Sequence, residues 1–321
     1  MDRRASHLPG IFLAASAATL WGASFVVPAL LAEWSPLEIT LSRYLVYGAM
    51  SGLVFLRMRR DFRPLTRREW LRAVSLALTG FFMAYLLLTA AIQDMGPAVP
   101  ALLMGATPVC VALFGNLIRR EFPFTRLLPP LAAIFAGLLV VNLDRYGLSV
   151  SAAPGDGAGM ALGLLEALAS LAVLTWYFVD NLQFLRGHPH VTPVQWSCAV
   201  GLVLGLMSLA CLPLALLTEP ELGGSRALPP LVMGSLVLGI GSSWLGGVLW
   251  NKASAMLPGS LAGQMIVFWP LSGLVLTYIV QSRLPTAAEA AGAALALAGV
   301  ALGVRATERA TATSAPRREP A

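Results

Sequence analysis

The sequence predicts an all-α polytopic membrane protein of ten transmembrane helices, arranged as two inverted five-helix repeats. Three observations carry this: an apolar composition, ten apolar runs joined by short turns, and a proline pattern that recurs 162 residues along the chain. Of the 321 residues 57% are hydrophobic and only 12% charged, and the mean hydropathy is +0.74. A soluble domain carries about 25% charged residues. This chain lacks the polar side chains to cover a water-facing surface.

The apolar runs fall at 10–32, 36–56, 71–94, 97–118, 127–143, 158–181, 192–217, 229–252, 258–280 and 285–304. Most have the ~20 residues a bilayer-spanning helix needs. No small-residue cleavage site follows the first run, so it reads as a spanning helix and not a removed signal peptide. The connections AEWSP, QDMGP and LPG barely allow a turn, which makes consecutive helices antiparallel hairpins. The expected layout is a cytoplasmic tail (1–9), a first repeat (10–143), a periplasmic linker (144–157), a second repeat (158–304) and a disordered cytoplasmic tail (305–321).

Charge sets the orientation. With the N-terminus in the cytoplasm, 18 of the 22 lysines and arginines fall on inside segments and three (Arg145, Arg226, Arg283) outside, with Arg43 left within a span. That asymmetry follows the positive-inside rule and makes both termini cytoplasmic. It also explains the net charge of +6 without nucleic acid, for which the aromatic–basic repeats are missing. Cys110, Cys198 and Cys211 all lie in apolar runs, which argues against a disulfide framework.

A shift of 162 residues puts Pro270 on Pro108, Pro285 on Pro123 and the Pro258-Gly259 turn on Gly96-Pro97. Five spans per half is an odd number, so the halves sit upside down relative to each other. Secondary transporters with such inverted repeats bind near the bilayer midplane, between the halves. Pro108 and Pro270 are candidate hinges, since a mid-span proline frees a backbone carbonyl where a cavity or protein can meet it. The alternative is a plain packing kink.

These features together carry a family resemblance. Ten spans in two inverted halves, LWGASFV in span one, SRYLVYG in span two and proline in spans four and nine resemble the drug/metabolite transporter superfamily, EamA type. Trp21 and the WN…P run at 250–270 are similar to its aromatic amino-acid exporter branch. The chain departs from that branch at Thr107, where an aromatic residue would precede the proline; the aromatic stands instead at Trp269. The resemblance implies export of small metabolites from a bacterial inner membrane, with no cofactor.

Ionisable side chains at membrane depth are costly and mark function by default. Arg43 and Glu166 each lie roughly 10–12 Å in from the periplasmic side at ~1.5 Å per residue. Equal depth permits an ion pair that locks two helices. Failing that, Arg43 attracts a substrate carboxylate, and Glu166 a substrate ammonium or a proton. Asn251 and Gln264 are expected to face the bundle, as interhelical hydrogen bonds or as cavity lining. Lys252 reads as a snorkelling anchor, and Asp180 and Asn181 as interfacial.

Trp34, Trp70 and Trp196 stand at span ends, where aromatic belts form. Trp21, Tyr85, Trp176, Trp244 and Trp269 lie deeper, most among small residues that leave room beside a ring, as in LWGAS and GSSWLGG. Such rings offer a large apolar face with a polar handle. No phosphate-binding G-x-x-x-x-G-K-[ST] loop and no metal-ligand set appears in the sequence; His7, His188 and His190 fall outside the spans. The reading is therefore a non-enzymatic exporter of small metabolites, with amino acids the favoured substrates and protons a candidate coupling ion. The rival is an exporter of toxic organic cations, which would need Glu166 free of Arg43.

Overall fold

The computed structural model describes residues 8–119, 157–218, 227–257, 265–266 and 268–314, with scattered positions between 125 and 140. The described residues are almost entirely helical. Six helical stretches are long and apolar enough to cross a membrane: Leu8–Leu30, Pro36–Met58, Arg67–Met95, Gly159–Gly187, Pro193–Ala215 and Leu228–Met256. Val99–Val111, Phe268–Val280 and Ala287–Gly299 are shorter apolar helices. Of the expected fifth span, 127–143, about half the residues are described, all of them helical, and Gln264 lies outside the described residues.

In chain order the helices are α1 Leu8–Trp21, α2 Ala23–Leu30, α3 Pro36–Met58, α4 Arg67–Met95, α5 Ala98–Met104, α6 Thr107–Arg119, α7 Gly157–Gly187, α8 Pro193–Thr218, α9 Leu228–Met256, α10 Phe268–Val280 and α11 Ala287–Ser314. Local chemistry sets several starts. Ser35 and Glu38 form a capping box on α3: the Ser35 N–H donates to Glu38 Oε2 (2.7 Å) and the Glu38 N–H to Ser35 Oγ (3.3 Å). Thr66 and Glu69 repeat it on α4, and Thr286 and Glu289 on α11. The last helix corrects the expected tail, since it runs to Ser314 rather than ending at 304. Residues 304–314 (VRATERATATS) hold neither glycine nor proline, and their alanines and arginines favour helix.

Two helices carry π-helical stretches, Ala77–Met83 in α4 and Val237–Leu245 in α9. Such stretches are rare and gather at functional sites. Their last residues, Met83 and Leu245, are 162 apart, the same offset as the prolines. Spans one, four and nine are interrupted: at Gly22 between α1 and α2, at Gly105–Ala106 between α5 and α6, and near Ile266 before α10. Pro108 and Pro270 therefore do not kink continuous helices. Each stands in the first turn of a new one, where the missing N–H has no partner to lose. The breaks lie side by side: a Cβ on Gly105 would sit 3.7 Å from Pro270 Cγ.

Packing interleaves the two halves of the chain. Span one (α1) packs on span eight (α9), and span three (α4) on span six (α7). Span two (α3) packs along span seven (α8), and span four (α5) on span nine (α10). The α3–α8 contact is so close that a Cβ on Gly205 would sit 2.7 Å from Gly48 Cα. Leu53, Leu56, Leu206, Leu209, Leu217 and Ile279 are exposed on the outside of the bundle. That apolar surface is what a lipid-facing exterior requires.

Candidate functional site

The helices enclose a central cavity with about 490 Å³ of empty space, counted out to its open mouth. Its lining includes Trp21, Arg43, Tyr85 and Trp269, four of the residues singled out in the sequence. The cavity thus draws on spans one, two, three and nine at once, with Leu174, Tyr177 and Phe178 of span six and Ser242 of span eight completing it.

Arg43 is 6% exposed. Its Nε donates to Ser243 Oγ (2.8 Å) and its Nη2 to Ser242 Oγ (3.3 Å), and the guanidinium lies 3.9 Å from the Tyr85 ring centre. Gly239 makes this possible, because a Cβ there would meet the Arg43 carbonyl at 2.8 Å. Lacking one, the π-helical stretch of α9 comes in against α3 and delivers both serines. Arg43 Nη1 and the Tyr85 hydroxyl are buried without a hydrogen-bond partner.

Aromatic rings form the remaining walls. The Trp269 indole N–H donates to the Trp21 carbonyl (3.0 Å) and to Ser24 Oγ (3.2 Å), using backbone exposed by the break at Gly22. Trp21 packs against Trp250 (5.2 Å between ring centres), Phe178 (6.0 Å) and Trp269 (6.2 Å). Phe81 meets Tyr177 edge-on at 4.9 Å.

Beneath Trp250 and Phe178 lies a buried polar network. Trp196 Nε1 donates to Asn181 Oδ1 (2.8 Å), Asn181 Nδ2 to Asn251 Oδ1 (3.1 Å), and Asn251 Nδ2 to Ser197 Oγ (2.9 Å). Asn251 is therefore an interhelical tie and does not line the cavity. This corrects two belt assignments as well. Trp196 is fully buried in this network, and Trp34 is buried with its carbonyl accepting from Gln93 Nε2 (2.8 Å).

Other sequence expectations fall elsewhere. Arg43 and Glu166 do not pair: Glu166 stands against Asp94 at the end of α4, with Oε2 buried and unpartnered. The close α4–α7 contact explains the placement, since Gly163 on α7 faces Asp94 and Met95. Trp176 is 42% exposed, and among the described aromatic residues its ring meets Phe114 (5.9 Å), on the side of α7 away from Tyr177 and Phe178. Trp244 packs on the core outside the cavity wall. Asp180 is not a free interfacial group but an ion-pair partner of Arg72. Among the described residues no group of three or more His, Cys, Asp and Glu could hold a metal ion.

Sequence reasoning missed Tyr44, Phe81, Leu174, Tyr177, Phe178 and Ser242. Only Ser242 and Ser243 left a trace, as polar residues at mid-depth within GSSWLGG.

A bundle of apolar helices around a central aromatic cavity that holds the Arg43 guanidinium defines a multi-pass membrane protein. The comparisons agree with that class. Residues 8–143 match the EamA-like transporter family. The chain is 33% identical over 310 residues to the inner membrane protein YtfF of Escherichia coli (strain K12), covering 93% of this chain and 96% of that one. A solved crystal structure 20% identical in sequence shares the fold, with a TM-score of 0.65 over 96% of this chain and 99% of its own. The chain belongs to the EamA-like transporter family.

Proposed function

We propose that this protein is a bacterial inner-membrane secondary transporter, with both termini cytoplasmic, that exports small metabolites by alternating access. Amino acids, aromatic or otherwise neutral, are the favoured substrates. The observation that carries this reading is the central cavity: a buried cation, aromatic walls, and broken helices that put backbone polar groups beside it. Such sites at broken helices are the mark of inverted-repeat transporters.

The ten-span inverted repeat draws support from packing. If spans one to five are exchanged with spans six to ten, the one–eight contact becomes the six–three contact, and two–seven and four–nine map onto themselves. The paired π-helical stretches fit the same exchange. Trp21 and Trp269 on the cavity wall support the likeness to the aromatic amino-acid exporter branch.

The organic-cation reading meets one of its conditions, because Glu166 is free of Arg43. It fails on charge. Among the described residues Glu166 does not line the cavity, and the one charged lining residue is Arg43, which repels a cation. Transport into proteoliposomes tests the proposal, using a panel of amino acids and organic cations with and without a pH gradient. Uptake of neutral amino acids is expected, accelerated by a gradient if protons are coupled. Uptake of cations alone would overturn the substrate assignment.

A further inference from the structure

We infer that the cavity recognises its substrate through a carboxylate, received by Arg43 Nη1 and the Tyr85 hydroxyl, and makes no comparable provision for an ammonium group. The inference deepens the exporter reading and rests on this cavity being the substrate site.

The argument starts from what Arg43 lacks. A guanidinium stays protonated in any protein environment, and its planar fork matches a carboxylate. Here it is 6% exposed and receives only neutral compensation: two serine hydroxyls and the face of Tyr85. Among the described residues no Asp or Glu lines the cavity and none forms an ion pair with Arg43. Its remaining terminal nitrogen, Nη1, is buried with no acceptor. A buried charge left short of partners is costly in an apolar setting. Such a group is held in place for a ligand that completes it.

Tyr85 supplies the second donor. It is 5% exposed, its hydroxyl makes no hydrogen bond of normal geometry although Thr89 and Arg43 are its polar neighbours, and its ring is fixed under the guanidinium. Neither atom meets water in this conformation, so a carboxylate reaches them only as the cleft opens around it. Once there, it exchanges hydration for charge-assisted hydrogen bonds in a low-dielectric site, where they are strongest.

The opposite end of a zwitterion finds much less. The rings of Trp21, Tyr177, Phe178 and Trp269 suit an apolar body, and their faces give an ammonium weak attraction at best against the repulsion of Arg43. The preferred ligand is then an apolar or aromatic monocarboxylate, with the α-amino group tolerated and not required.

Three probes that share one body separate these roles: 3-phenylpropionate, phenylalanine and phenethylamine. Binding to the purified full-length protein is read by intrinsic fluorescence, to which Trp21 and Trp269 contribute from the cavity wall, and by calorimetry. The acid is expected to bind at least as tightly as the amino acid, and the amine at least about 10-fold more weakly, the scale of one charge-assisted hydrogen bond. Arg43→Gln should weaken both acids about 10-fold or more and leave the amine no weaker. Tyr85→Phe removes only an unpartnered hydroxyl, so it should fold and still weaken the acids, which keeps the test open if Arg43→Gln does not fold. Tighter binding of the amine than of the acid overturns the inference. So does wild-type affinity for 3-phenylpropionate in both variants, or no binding of any probe at millimolar concentration. Acid binding without vesicle transport would support this subsite and strike the exporter reading alone.

Discussion

The contact between α3 and α8 yields the sharpest stability prediction. Gly48 and Gly205 meet backbone to backbone, and a methyl group on Gly205 would sit 2.7 Å from Gly48 Cα. Ordinary contact begins at 3.4 Å, so the helices must part by about 0.7 Å, or the backbone must bend. No flexible side chain can yield, because the obstructing atom is backbone. Overpacking of this kind costs typically 1–3 kcal/mol, partly offset by the ~1 kcal/mol that Gly→Ala returns inside a helix. Gly52→Ala, one turn along α3 from Gly48, is the internal control. Its new methyl would lie 3.8 Å from Leu202 Cδ2 and clash with nothing, so it should be neutral or stabilising. Thermal unfolding in detergent, followed by tryptophan fluorescence, should therefore rank Gly52→Ala at or above the wild type and Gly205→Ala clearly below it. Gly48→Ala should cost at least as much, since its methyl would sit 2.4 Å from Gly205 Cα, and the double variant should lose less than the sum, because both crowd one contact. Equal melting temperatures for Gly205→Ala and Gly52→Ala would refute the reasoning.

Glu166 faces Asp94 and not Arg43, so Glu166→Gln should keep or raise thermal stability, because the amide removes a like charge and can still donate to Asp94; a clear fall in melting temperature would refute that placement. Asn251→Ala should cost about 2 kcal/mol, since it strands Asn181 Nδ2 and Ser197 Oγ in a buried network, and an unchanged melt would refute that. Trp21→Ala should weaken probe binding while Trp176→Ala leaves it at the wild-type level, and the reverse ranking would mean the wrong face of α7 had been assigned to the cavity. A reporter fused after Gly303 should behave as cytoplasmic and one within 146–156 as periplasmic; a periplasmic C-terminus would overturn the ten-span reading.

Depth was legible in the sequence and azimuth was not. Counting residues from a span end places Arg43, Tyr85, Trp21 and Trp269 near mid-membrane, and all four line the cavity. The same count gave Glu166 the depth of Arg43, yet α7 turns its carboxylate to Asp94. Trp176 and Tyr177 differ by one residue in depth and by about 100° around the helix, and only Tyr177 lines the cavity. In a soluble helix the apolar stripe would reveal the inward face. Here lipid and protein interior are equally apolar, so α7 and α8 are hydrophobic all round and carry no such stripe. The proline offset survived because a break in a helix depends on local backbone chemistry, which sequence does record.

Packing also bears on how alternating access would run. Sequence alone suggests that residues 10–143 rock against 158–304, but that motion would separate span one from span eight and span three from span six, which pack closely. The contacts instead group spans three, four and six on one side and spans eight, nine and one on the other, with α3 and α8 pressed together between them. Arg72–Asp180 then ties α4 to α7 within one unit and is free to persist through a cycle. What joins the two units at the arginine-rich end is the Asn181–Asn251 hydrogen bond, with Phe178 set against Trp21 and Trp250 above it. If the protein works by alternating access, opening from that end would part this small cluster while the glycine contact of α3 and α8 stays closed. A neutral hydrogen bond and a few ring contacts are each worth only about 1 kcal/mol. Contacts of that strength are weak enough to break and re-form repeatedly, as alternating access would demand.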